Sequence, residues 1–168
     1  KLCYPPAATY YSMPSIIIAW LSPLRVAVLV TGGKDSALAL YRAMKQGFEI
    51  VNLVTMVPQR ADSWMFHYPN IHMADLIAEA IGIPLVRAET SGLKEEELED
   101  LKRTLKRLPV DGVVSGAITS EYQKKRVDRI CKTLGIEHIV PLWQEEPLKL
   151  LNEILQSEME IIIVGVYA

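Results

Sequence analysis

Residues 25–36 read Arg25-Val26-Ala27-Val28-Leu29-Val30-Thr31-Gly32-Gly33-Lys34-Asp35-Ser36, and a helical pattern begins at once. The first half is a continuous apolar, β-branched run, the mark of a strand buried on both faces. The second half predicts a tight loop. Gly32 and Gly33 permit backbone conformations closed to other residues. The helix over Asp35–Lys45, stopped by Gly47, presents free N–H groups and positive dipole potential at its start. Thr31 and Ser36 add hydroxyls, and Lys34 adds a cation. Together these residues predict an anion site. The bland alternative is a tight turn in which Asp35 or Ser36 only caps the helix. Two familiar glycine fingerprints fail. Val28 stands where a GxxxxGK[ST] loop needs its first glycine, and adjacent glycines cannot make GxGxxG.

Outward from this loop the pattern alternates. Strands are expected over Glu49–Thr55, Pro84–Arg87, Gly112–Ser115, Glu137–Val140 and Ile161–Gly165. Helices are expected over Asn70–Ile81, Lys94–Leu108, Ser120–Leu134 and Pro147–Gln156, with Gly82 and Gly135 as stops and Pro147 in a first turn. Strand alternating with helix predicts an α/β fold: a doubly wound, mostly parallel sheet of five to six strands with helices on both faces. Ligands of such sheets sit beyond the strands' carboxyl ends where strand order reverses. With strands 1 and 4 adjacent, the loops Thr31–Ser36 and Ser115–Ile118 meet there.

The chain has 168 residues, one domain's worth, with 50% hydrophobic and 23% charged residues. Its 18 basic and 20 acidic residues give a net charge of −2, which argues against a general nucleic-acid binder. Cys3 and Cys131 form no CxxC pair, so neither a disulfide scaffold nor a cysteine zinc site is expected, and the reducing cytoplasm is the expected location. His67 and His72 are five apart, a poor spacing for metal, and no protein-bound metal is expected. No run approaches the roughly 20 apolar residues of a membrane span. Residues 1–24, with Pro5, Pro6, Pro14 and Pro23, read as a poorly ordered extension. An edge strand over Ser15–Leu21 or a weak membrane contact is the alternative. The chain opens on Lys1 and stops just after an apolar run, so both ends are expected to be cut. Residues 25–168 read as one domain.

The hexapeptide Thr31–Ser36 resembles the SGGxDS loop of the PP-loop, or N-type, ATP pyrophosphatases, with Thr31 in place of the usual serine. Within that superfamily the chain is similar to the diphthine–ammonia ligase branch. The similarity lies in Thr31–Leu40, Leu53–Val57, Ser63–His67, Ala80–Pro84, Ser115–Arg126, Pro141-Leu142-Trp143 and Val164–Val166. It implies ATP and Mg²⁺ as cofactors, ammonia as nucleophile, and translation elongation factor 2 as protein substrate. AMP, pyrophosphate and an amide would be the products. The branch has a further Gly- and Glu-rich C-terminal region, and the chain ends before it.

The resemblance assigns nucleotide binding to Thr31, Gly32, Gly33, Lys34, Asp35, Ser36, Thr55, Met56 and Gly116, and catalysis to Lys34, Asp35 and Arg126. Asp35 is the first candidate for the Mg²⁺ carried by the phosphates. His67, Tyr122 and Trp143 are placed on the substrate side. Plainer readings stand beside these. Met56 also reads as a core filler, Gly116 as a turn glycine, and His67 as a structural histidine. Arg126 and its neighbours Lys124 and Lys125 also read as surface charge, and Trp143 as a cap on the core. The rival functions are a tRNA-modifying PP-loop enzyme, a glutamine-dependent amidating synthetase and a non-catalytic nucleotide-binding module. A homodimer stays open.

Overall fold

The computed structural model describes residues 22–59 and 71–163. Five strands, β1 (Arg25–Leu29), β2 (Glu49–Pro58), β3 (Leu85–Thr90), β4 (Gly112–Val114) and β5 (Glu137–Ile139), form one sheet of order β3-β2-β1-β4-β5. Every neighbouring pair is parallel. Five helices connect or follow them: α1 (Lys34–Lys45), α2 (Met73–Ile81), α3 (Lys94–Leu105), α4 (Glu121–Leu134) and α5 (Pro147–Gln156).

The period-two alternation of the strands sorts side chains to two cores. Val26, Val28, Val30, Leu53 and Val114 face α1, α2 and α5, against Leu38, Ala39, Ala74, Leu150 and Ile154. Ala27, Val54, Met56 and Val113 face α3 and α4, against Leu98, Leu101, Leu105, Val127 and Ile130. Burying each such leucine or valine contributes roughly 1.5–3 kcal/mol. The fold is therefore the doubly wound parallel α/β sheet that the alternation implies.

Several bounds differ from the sequence reading. β2 and β3 run on to Pro58 and Thr90, which are register partners, because each supplies the other's ladder. α3 stops at Leu105, with its C-cap at Lys106. The strand expected over Ile161–Gly165 does not form over Ile161–Ile163. There Ile161 packs on the α1 side of the core, while Ile162 and Ile163 are exposed and find no ladder partner. Val164 and Gly165 lie outside the described residues, as do residues 1–21 of the extension.

Candidate functional site

Strand order reverses between β1 and β4, and the loops leaving them converge over the gap. A cleft of about 470 Å³ opens there, with Leu29 and Val127 as apolar wall and Thr31, Ser36, Ser115 and Gln123 as polar wall. A second hollow of about 400 Å³ lies between α1 and α5. Arg42 in its wall is already bonded to Glu153, Glu145 and the Pro141 carbonyl, and no strand end points into it.

The first loop is shaped by its own residues. Gly32 has φ +77°, in the left-handed region that favours glycine. Gly33 is the extended N-cap of α1 and supplies no side-chain cap. Ser36 is 6% exposed and folds back. Its Oγ donates to the Gly33 carbonyl at 2.9 Å and accepts from the Thr31 N–H at 3.3 Å, with Thr31 Oγ1 at 3.4 Å. The Ser36 hydroxyl therefore holds the loop. The first-turn N–H groups of α1 have no partner within the helix and aim positive potential into the cleft. At the rim Lys34 Nζ donates to Asp35 Oδ1 at 2.7 Å, and both side chains are well exposed.

The second loop packs directly on this helix end. A Cβ on Gly116 would sit 2.8 Å from the Asp35 carbonyl oxygen and 2.9 Å from the Ser36 nitrogen. What needs the glycine is its contact with the α1 backbone. Ser120 caps α4, its hydroxyl accepting from the Gln123 N–H at 3.3 Å.

β2 rises past β1 and leaves a step. The Val54 carbonyl accepts from Val30 N–H at 2.9 Å. Two residues on, strand alternation turns the Met56 N–H and C=O the same way, above the last β1 residue. The Met56 side chain is 3% exposed and lies in the core with Leu98 and Leu101. Thr55 is 1% exposed, and its Oγ1 has no hydrogen-bond partner among the described residues.

The remaining candidates are more dispersed. Arg126 lies off the cleft wall, its guanidinium 3.8 Å over the Tyr122 ring and bonded to Glu95 at 3.3 Å. Tyr122 packs on the α3/α4 core. Lys125 pairs with Glu121 on the surface. Trp143 has Lys124 Nζ 5.5 Å from its ring centroid. His67 lies outside the described residues. No group of three metal-ligating side chains occurs among those described, and no helix there is long and apolar enough to cross a membrane.

One constellation escaped the sequence reading. Ser115, on the cleft wall, has its Oγ 2.8 Å from His138 Nε2. His138 Nδ1 lies 2.6 Å from Asp128 Oδ1, and Lys124 Nζ donates to Asp128 Oδ2 at 2.7 Å. Burial pushes the His138 imidazole below its ordinary value, against the raising pull of Asp128. Burial raises the Asp128 carboxyl, but hydrogen bonds from Lys124 and His138 outweigh it and hold the group low. Ser115 follows β4, His138 lies on β5 and Asp128 on α4, so local spacing signals only the Lys124–Asp128 pair, four apart on one helix.

A family model described as diphthamide synthase N-terminal domain matches residues 24–138. Among curated relatives, diphthine–ammonia ligase of Rattus norvegicus is 36% identical over 167 residues, covering 86% of this chain and 62% of that protein. The Homo sapiens enzyme is 34% identical with the same coverage. The Schizosaccharomyces pombe enzyme is 33% identical, covering 86% of this chain and 27% of that protein. The chain thus spans less than two thirds of the length of these relatives. Two solved structures share the fold. One, from Methanocaldococcus jannaschii, is described as a predicted subunit of tRNA methyltransferase (TM-score 0.56, 18% identity, 82% of this chain, 76% of that one). The other is the U34-tRNA thiolase NcsA of Methanococcus maripaludis with its [4Fe-4S] cluster (TM-score 0.53, 16% identity, 82% of this chain, 59% of that one).

Proposed function

The chain belongs to the diphthamide synthase N-terminal domain family, and we propose that it carries the ATP-using part of a diphthine–ammonia ligase acting on translation elongation factor 2 in the cytoplasm. The observation that carries this reading is the anion cradle at the strand-order switch, where loop 31–36 and the α1 N-terminus face the cleft. The ATP phosphates lie on that loop, held by backbone N–H groups and Lys34. Adenine reaches the β2 step, where the Met56 N–H and C=O offer one donor and one acceptor.

A carboxylate oxygen of diphthine attacks the α-phosphorus. The bond to the bridging oxygen breaks, and pyrophosphate is left on the loop. Ammonia then attacks the activated acyl carbon, AMP leaves, and an amide remains. The residues act by positioning and by neutralising charge, without a covalent enzyme nucleophile. Asp35, exposed at the rim, suits a Mg²⁺ ion held mainly by phosphate oxygens, which would neutralise their charge. For Arg126 to reach the phosphates it would release Glu95, a 77% exposed carboxylate that is given up at little cost, and leave its stack on the Tyr122 ring. The family resemblance gives Tyr122, Trp143 and His67 the role of contacting the protein substrate.

The test is product identity. Incubation with ATP, ammonium and diphthine-bearing elongation factor yields AMP, pyrophosphate and a protein amide. ADP and phosphate as products would reject the class.

A further inference from the structure

We propose that Ser115, His138 and Asp128 form a proton relay that opens on the cleft and takes the proton of the attacking ammonia. The inference rests on the ligase reading above and adds the group that reading lacks. Forming an amide from ammonia requires a nitrogen-bound proton to leave as the C–N bond forms, and none of Lys34, Asp35 or Arg126 is placed as its acceptor. Each is already engaged with a neighbouring charge.

The hydrogen-bond roles follow from what each atom can do. An ionised Asp128 can only accept, so His138 Nδ1 carries the proton of the 2.6 Å contact. Burial favours the neutral ring, which leaves Nε2 as a bare acceptor. The Ser115 hydroxyl must then donate across the 2.8 Å contact. Its lone pairs are left for the cleft, and ammonia is a ligand with N–H groups to donate. As ammonia nitrogen bonds to the acyl carbon, one N–H proton passes to Ser115 Oγ. The Ser115 proton passes to Nε2, and the imidazolium is stabilised by Asp128. The C–O bond to AMP breaks, and AMP leaves with that electron pair.

The charged groups reaching His138 are Asp128 and Lys124, both on α4. Its side chain is 3% exposed, so solvent does not compete for Nε2. Lys124 fixes the direction of the relay. It donates to Asp128 Oδ2, leaving Oδ1 for the ring. An asparagine at 128 must keep its oxygen toward Lys124 and turn its NH₂ toward Nδ1. That reverses the tautomer and leaves Nε2 protonated, unable to take the serine proton.

The experiment separates the two half-reactions in the full protein with its elongation-factor substrate. ATP–pyrophosphate exchange reads adenylation, and amide formation at saturating ammonium reads the second step. Asp128→Asn is expected to keep exchange within about threefold while amide formation falls about 100-fold or more, within the range of general-base effects. The parent amide rate should lose activity as pH falls through a midpoint below the ordinary histidine value of about 6.5, because the neutral ring is the active form. Ser115→Ala should abolish that acid limb, and a melt within a few degrees of the parent excludes misfolding as the cause. Equal losses of exchange and amide formation, or parental amide rates in both variants, overturn the relay alone. A parent that shows no exchange overturns the ligase reading, and the relay with it.

Discussion

Replacing Gly116 by alanine tests the cleft's architecture without any ligand. The added Cβ would meet the Asp35 carbonyl oxygen at 2.8 Å and its carbon and the Ser36 nitrogen at 2.9 Å. All three are backbone atoms of the first turn of α1, so no side-chain rotation relieves the clash. Comfortable contacts lie near 3.5–4.0 Å, so loop 115–120 must withdraw by about half an ångström or more. Overpacking of this kind costs roughly 1–3 kcal/mol. For a domain of this size that lowers Tm by about 2–12 °C. Gly33→Ala is the control. Its Cβ would meet nothing nearer than Thr31 Oγ1 at 3.5 Å, and its φ of −91° suits any residue. Its Tm should stay within about 2 °C of the parent. Calorimetric melts of both variants decide the matter. A Gly116→Ala protein that melts with the parent, or a Gly33→Ala protein that falls equally far, would refute the packing argument.

Ser36→Ala removes the group that both donates to Gly33 and accepts from Thr31. It should cost about 1 kcal/mol in a urea melt and weaken ATP binding at least tenfold by titration calorimetry. Glu153 is held below its ordinary value, chiefly by its Arg42 hydrogen bond. A depressed carboxyl stabilises the fold above its unfolded value near 4.3 and loses that contribution as pH falls through the folded one. Urea melts of Glu153→Gln should therefore show a deficit at pH 7 that closes in acid. Burial pushes the Cys131 thiol up to about 12. In a Cys3→Ser background, no thiol should react with Ellman's reagent at pH 8 until the protein is unfolded.

Most of the sheet is readable because β1, β2 and β4 are largely apolar runs bounded by turn residues and three of the helices are followed by a glycine stop. Gly82 and Gly135 sit in the left-handed conformation their positions suggested. Bounds set by partners were not readable. Nothing within 56–58 or 88–90 says that these residues extend strands, since each needs the other's ladder. The run Ile161–Ile163 fails for the converse reason, having strand composition without a partner strand. In the cleft, the loop residues were legible because loop and helix adjoin in sequence. Motif position points to Arg126, whereas its stack on Tyr122 follows from the turn of α4, which sets residues four apart on one face. The contact of Ser115 with His138 spans 23 residues and that of His138 with Asp128 spans 10, joining the loop after β4 to β5 and α4.

The step where β2 outlasts β1 has a consequence for how this protein can change over time. Its N–H and C=O are the same atoms in every residue but proline. Drift at Met56 is therefore filtered by the core beneath it, where the side chain is 3% exposed, and hardly at all by what docks above. A base recognised there would leave no signature in the side chains. Selectivity for it would survive replacement of Met56 by leucine, provided the step kept its height.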